Sequence, residues 1–237
     1  QRGRRQSIRS HRPDCCSNEL GFYMSLVLRS YWRSSCSWRV RIGLNWKQLP
    51  YDIVPVHLVA DGGQQHSDTH RALNPSRELP VLLVDGEPLA QSVAILEYLE
   101  ETHPDPPLLP RSPLDRARVR QMTEVVNSGI QPVQNLRVMQ RLGREYDFSR
   151  ADQVGWSRDW IALGLTALEQ LVSNHGGRYS FGDSVSWADL CLVPQLYNAR
   201  RFDVDLTAFP SLTAVESQLE SLPEFVAAHP DQQPDAA

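Results

Sequence analysis

This chain has little lysine, little cysteine and no long apolar run, and each shortage closes off a class of protein. No apolar stretch approaches the roughly 18 residues that a membrane-spanning helix requires, so a soluble globular chain with no membrane partner is expected. The four cysteines (Cys15, Cys16, Cys36 and Cys191) fall too irregularly for a disulfide framework or a zinc ligand set. The histidines, among them His57, His66, His70 and His103, also lack metal-ligand spacing, and no metal site is expected. Such cysteine usage points to a reducing compartment, the cytoplasm. Basic charge is scarce beyond the N-terminus. Net charge is −4, yet the first 23 residues hold five arginines against Asp14 and Glu19; without them 19 basic residues face 26 acidic ones. That balance argues against nucleic acid as the main partner. The cations are 23 arginines and one lysine, Lys47, which reads as a compositional habit rather than a site.

What the chain does have is apolar patterning. Its 237 residues are 41% hydrophobic, enough for one or two domains with true cores. Residues 1–23 are rich in Arg and Ser without a core pattern. They read as a disordered tail ahead of Met24, with a mitochondrial targeting segment as the alternative. From Ser25 the pattern predicts a strand, a helix over about residues 36–49 and a strand over Tyr51–Leu58, a βαβ unit. A turn-rich loop, Asp61-Gly62-Gly63-Gln64-Gln65, leads to a weakly helical stretch ending at Leu73. Leu79–Val84 reads as a strand, Asp85-Gly86 as a hairpin turn, and Pro88–Ala90 as a short strand before a helix that starts at Gln91-Ser92. This order is that of a thioredoxin-like α/β layer with a four-stranded mixed sheet over residues 24–103, in which Pro80 is expected to follow a cis peptide bond. Residues 104–113 hold Pro104, Pro106, Pro107, Pro110 and Pro113 and read as a semi-rigid linker. Everything from 114 to 237 reads as an all-α domain, with helices over about 114–142 (kinked or broken at Pro132), 151–174, 187–200 and 211–222. Ser186 and Asp189 have capping-box spacing, and Val185 and Leu190 are placed as a hydrophobic staple.

The richest stretch is Ser34-Ser35-Cys36-Ser37-Trp38-Arg39, where a strand turns through hydroxyls and a thiol into a helix start. The first amides of a helix have no internal acceptor, and its positive end faces the turn, so a thiol held there is favoured as thiolate. That thiol is either Cys36 or one that belongs to a ligand. Cys36 lacks the second cysteine of a dithiol motif, which counts against a thioredoxin-type exchanger.

Several of these motifs together are similar to those of a zeta-class glutathione transferase. They are Ser34–Arg41, Asp61–Gln65, Leu79-Pro80, Gln91-Ser92-x-Ala94-Ile95, Ile130-Gln131-Pro132-x-Gln134-Asn135-Leu136 and Asp189–Gln195. The Ser-Ser-Cys-Ser-Trp run is specific to the class, whereas the Gln-Ser-x-Ala-Ile run and the Ser-x-x-Asp cap occur across glutathione transferases. The likeness runs from about Met24 to the C-terminus. The chain departs from the pattern at Gly43, where alanine is usual, at Arg137, where a small residue is usual, and in the N-terminal tail.

The resemblance implies a homodimer that uses glutathione to isomerise a maleyl-type dicarboxylate in phenylalanine and tyrosine breakdown, with side activity on α-halo acids. Gln91 and Ser92 would take the γ-glutamyl carboxylate, unless Ser92 is a plain helix cap. Leu79, ahead of Pro80, would offer its main chain to the cysteinyl unit, and Gln65 would donate to the glycine carboxylate. The thiol would then lie over Ser34, Ser35 and Cys36, with Ser34 as leading activator and Ser37, Trp38 and Arg39 completing the turn. Gln131, Asn135, Leu136 and Arg137 are expected to face the cleft from the helical domain. Arg39 and Arg201 are the candidates for steering substrate carboxylates, with a plain surface role open for each. Cys191 is expected to be buried and inert. Two rivals stay open: a thiol reductase or peroxidase acting through Cys36, and a glutathione-binding scaffold without chemistry.

Overall fold

A computed structural model describes residues 24–236. The tail reading for residues 1–23, with Cys15 and Cys16, lies outside the described residues.

Four short strands, β1 (Leu26–Ser30), β2 (Asp52–Pro55), β3 (Val81–Val84) and β4 (Glu87–Ala90), form one mixed sheet in the order β2-β1-β3-β4. β1 runs parallel to β2 and is joined to it through helix α1 (Ser35–Trp46), while the other two pairings are antiparallel. Helix α2 (Asp68–Leu73) precedes the β3–β4 hairpin and α3 (Ser92–Thr102) follows it. β2 is shorter than the expected Tyr51–Leu58: it ends at Pro55, and the chain then turns back so that the Gln64 amide donates to the His57 carbonyl. The Leu79–Pro80 peptide is cis, as the sequence led one to expect.

Helix α1 is apolar on two faces, and this joins the two halves of the molecule. Val40 and Leu44 pack with Leu26, Leu28 and Leu82 of the sheet and Ile95 and Leu99 of α3. Trp38 and Ile42, on its other face, belong to a larger core shared with the helical half. Gly43 stands where α3 comes closest: a Cβ there would meet Leu96 Cδ2 at 2.5 Å. Its departure from alanine lowers helix propensity by about 1 kcal/mol but leaves room for that leucine.

The helical half comprises α4 (Pro113–Glu124), α5 (Leu136–Glu145), α6 (Arg150–His175), α7 (Trp187–Arg201), α8 (Pro210–Leu219) and α9 (Pro223–Ala228). Of the kink or break expected at Pro132 within 114–142, the structure has the break: two separate helices. After α4 one wide turn of π-helix covers Val125–Ile130, closed by the Gln131 amide on Val126 O at 2.9 Å. Pro132 cannot donate onward, and Asn135 caps a fresh helix by accepting from the Arg137 amide at 3.1 Å. α9 extends beyond the last expected helix. The capping signal at Ser186 is realised through Asp189, whose buried carboxylate accepts from the Ser186 amide (2.7 Å) and the Ser180 amide (2.8 Å). Burial pushes the Asp189 carboxyl above its ordinary value, against the pull of the hydrogen bonds from Ser180 and Ser186.

Lys47, read from composition as a habit, is a structural residue. Its ammonium meets Glu100 Oε2 at 2.6 Å and donates to Pro106 O at 2.8 Å. Glu100 in turn accepts from the amides of Leu108 and Leu109. The proline-rich connection is thereby tied to α1 and α3.

Candidate active site

Helix α1 opens at the expected turn. Ser34 is its N-cap: Oγ accepts from the Ser37 amide at 3.2 Å, and the Ser34 amide donates to Tyr31 O at 3.0 Å. The hydroxyl thus spends an acceptor lone pair on the helix and keeps its own O–H to donate. The turn is fastened from beneath and behind. Arg41, fully buried, donates to Ser30 Oγ (3.0 Å), Trp32 O (2.9 Å) and Ala228 O (3.1 Å), and burial lowers its pKa to about 10. The Asp235 carboxylate accepts from the Trp32 amide at 3.0 Å, so the last residues of the chain brace the same loop.

Above this turn lies a cavity of about 310 Å³ between the sheet and helical halves. Ser34, Cys36, Gln65, Leu79, Pro80, Gln91 and Ser92 line it from one half, and Gln131, Asn135, Leu136 and Arg137 from the other. Leu79 lies just before the β3 ladder, which begins at Val81, so its main chain takes no part in that pairing. Gln91, at φ 72°, caps α3, and Ser92 is the first residue of that helix.

A second cavity, about 210 Å³, adjoins the first. Both are lined by Ser34, Gln131, Asn135 and Leu136, and the second adds Ser35, Arg33, Arg150 and Arg201. Among the described residues no acidic side chain lines it. Arg201 donates to Asn198 Oδ1 at 3.0 Å. Its pKa is lowered by burial first, then by the like charges of Arg33 and Arg150. Three guanidiniums crowded together without a carboxylate form a place that an anion would relieve.

Three residues of the sequence motif fall elsewhere. Ser37 and Arg39 are 0% exposed and Trp38 is 2% exposed. They lie two to four positions past the helix start, where α1 has rotated into the core, so none of them faces either cavity. Trp38 packs edge-on against Tyr197 and His229. Arg39 cannot steer substrate from there. It donates to Asn127 Oδ1 at 2.9 Å, and its Nη2 approaches Cys36 Sγ at 3.6 Å, holding the thiol from below. Burial opposes its charge, but the neighbouring Cys191, Cys36 and Glu124 raise its pKa on balance. Cys191 is buried as expected, and burial pushes its thiol up to about 11. Arg33, Arg150, Glu78 and Asn127 escaped the sequence reading. Arg33 alone carried a signal there, as the neighbour of Ser34.

Residues 33–102 match the family described as glutathione S-transferase, N-terminal domain, and residues 150–228 match its C-terminal domain. The chain belongs to the glutathione S-transferase family. It is 50% identical over 210 residues to a maleylacetoacetate isomerase of Dictyostelium discoideum, covering 89% of this chain and 95% of that one. Its fold is similar to the holo structure of a maleyl pyruvate isomerase, described as a bacterial glutathione-S-transferase in the zeta class, with a TM-score of 0.86 and 41% identity over 89% of this chain and 100% of that one. A maleylacetoacetate isomerase of Anaeromyxobacter dehalogenans, solved with dicarboxyethyl glutathione and citrate in its active site, matches with a TM-score of 0.80 and 48% identity over 90% and 98% of the two chains.

Proposed function

We propose that this chain is a glutathione-dependent cis–trans isomerase that converts maleylacetoacetate to fumarylacetoacetate, a step of phenylalanine and tyrosine breakdown. The observation that carries the reading is the junction of two cavities at Ser34: a polar cleft on one side and, on the other, a pocket with three arginines and no acidic side chain among the described residues. The likeness to enzymes named maleylacetoacetate isomerase supports it.

The residues fit glutathione. Gln65 lines the cleft at 6% exposure, and among the described residues its buried Oε1 has no hydrogen-bond partner; as an acceptor it suits an amide N–H at the glycine end of the tripeptide rather than the carboxylate itself. Gln91 and Ser92 would hold the γ-glutamyl end, the Leu79 main chain the cysteinyl unit and Gln65 the glycine end. Gln131, Asn135 and Leu136 would close over the tripeptide from the helical side. When bound, glutathione supplies a thiolate that adds reversibly to the activated double bond and leaves again after rotation, so that it is returned unchanged.

The chain's own residues do the rest. Ser34 donates its O–H to the thiolate, and a hydrogen bond to a charged group contributes about 1.5–3 kcal/mol. The first amides of α1, at Ser35 and Cys36, add the positive end of the helix. Arg33, Arg150 and Arg201 hold the substrate carboxylates and stabilise negative charge that develops as the double bond is attacked. The same arginines would hold an α-halo acid such as dichloroacetate, which gives a transferase side activity. The protein acts as a homodimer in the cytoplasm on this reading.

A glutathione-dependent reductase is the second reading, favoured by the position of Cys36 in the cleft against the Arg39 guanidinium. Replacing Cys36 by alanine separates the two. The isomerase is expected to keep more than about a tenth of its turnover, because its nucleophile belongs to glutathione. Loss of all turnover in Cys36→Ala would overturn the isomerase reading.

A further inference from the structure

At one end of the cleft two residues of opposite charge meet across the two halves of the molecule. Glu78, in the loop ahead of β3, meets Arg137, in the first turn of α5, with Oε1 and Nη1 2.9 Å apart. Gln91 donates to the other oxygen of Glu78 at 3.3 Å, and all three residues line the cavity. Nothing in the packing requires the pair, since the Arg137 side chain is 64% exposed. A half-exposed ion pair of this kind is weak and readily exchanged.

We propose that Glu78 and Arg137 together read the zwitterionic α-amino acid head of glutathione, exchanging their contact with one another for contacts to its α-ammonium and α-carboxylate. This rests on the assignment of the cleft to glutathione. The exchange is charge-neutral: an ammonium replaces the guanidinium beside Glu78, and a carboxylate replaces Glu78 beside Arg137. A head that carries only the carboxylate would satisfy Arg137 and leave Glu78 without its cation. An unpaired, partly desolvated carboxylate is costly, so the pair selects against ligands that lack the α-ammonium. Gln91 stays on Glu78 throughout and keeps it aimed at the α3 start.

The test is a cycle of two proteins and two ligands, measured by titration calorimetry. The ligands are glutathione and its deaminated analogue, glutaryl-cysteinyl-glycine, which keeps both carboxylates and the thiol. The native chain is expected to bind glutathione at least about ten-fold more tightly than the analogue. In Glu78→Gln that preference is expected to collapse to within about two-fold, through weaker binding of glutathione and tighter binding of the analogue, which no longer orphans a carboxylate. Arg137→Ser is expected to weaken both ligands alike, because both carry the carboxylate it reads. The proposal is overturned if the native chain binds the two ligands equally, or if Glu78→Gln keeps the full preference. Failure of the native chain to bind glutathione at all would overturn the assignment of the cleft, a separate and recognisable result.

Discussion

Replacing Lys47 by methionine removes the ammonium that holds the proline-rich connection against α1 and α3. Its side chain is 0% exposed and that of Glu100 is 6% exposed, so the pair is taken almost wholly out of water. Methionine fills the space of the aliphatic stem but leaves the Glu100 carboxylate and the Pro106 carbonyl without their cation. Breaking a buried pair from one side costs about 3–5 kcal/mol. The amides of Leu108 and Leu109 still donate to the carboxylate, which places the expected loss near the lower end, about 3 kcal/mol. In the double variant Lys47→Met/Glu100→Gln the orphaned charge disappears while an acceptor remains for those amides. Its expected loss is about half that of the single variant. Guanidinium unfolding followed by far-UV circular dichroism measures both, with the midpoint shifting at constant slope. Because Lys47 is the only lysine, an amine-acylating reagent with peptide mapping gives a second readout: the native protein resists labelling at Lys47 until it unfolds. Labelling of the native chain at the rate of a free lysine, or a loss below about 1 kcal/mol in Lys47→Met, would show that the pair does not hold the connection.

Three further outcomes are expected. Ser34→Ala removes both the donor to the thiolate and the cap on Ser37; turnover falls about a hundred-fold, thiolate absorbance near 240 nm in the glutathione complex shifts to higher pH, and stability drops by about 1 kcal/mol. A variant with an unchanged thiolate titration contradicts the role given to Ser34. Arg201→Ala raises the KM for the dicarboxylate about 10–100-fold while the KM for glutathione stays within about two-fold, as steady-state kinetics with each substrate varied will show. Gly164→Ala drives a Cβ to 2.2 Å from Ile130 Cγ1, at the end of the π-helical turn next to Gln131. The strain, about 1–3 kcal/mol, outweighs a helix-propensity gain of at most about 1 kcal/mol, so the melting temperature falls; a rise refutes the packing argument.

What could be read from the sequence was local chemistry. A serine before a helix start, a leucine before a proline, a Gln-Ser pair opening a helix and a Ser-x-x-Asp cap each carry their meaning within a few residues. The strand and helix order followed from periodicity in the same way. What could not be read depended on distant partners. Lys47 is 53 residues from Glu100 in the chain, so its role was invisible in composition. Ser37, Trp38 and Arg39 sit in the most informative motif, yet the two-faced packing of α1 turns them inward, and a string of residues does not say which face is which. Arg150 was hidden among 23 arginines, and Arg33 had only its place beside Ser34 to mark it. The break between α4 and α5 was hinted at by Pro132, but the wide turn before it depends on packing against Gly164. Helix α9 is only six residues long and opens on a proline, too short for a periodic signal.

The proposed function requires that glutathione be needed for turnover and returned by it. The most direct measurement is ultraviolet absorbance after adding maleylacetoacetate, coupled to fumarylacetoacetate hydrolase, with glutathione kept well below the substrate concentration and assayed at the end. The proposed function predicts no turnover without glutathione and many turnovers per glutathione with it, the tripeptide being recovered intact. Turnover without glutathione, or consumption of one glutathione per product, would contradict it.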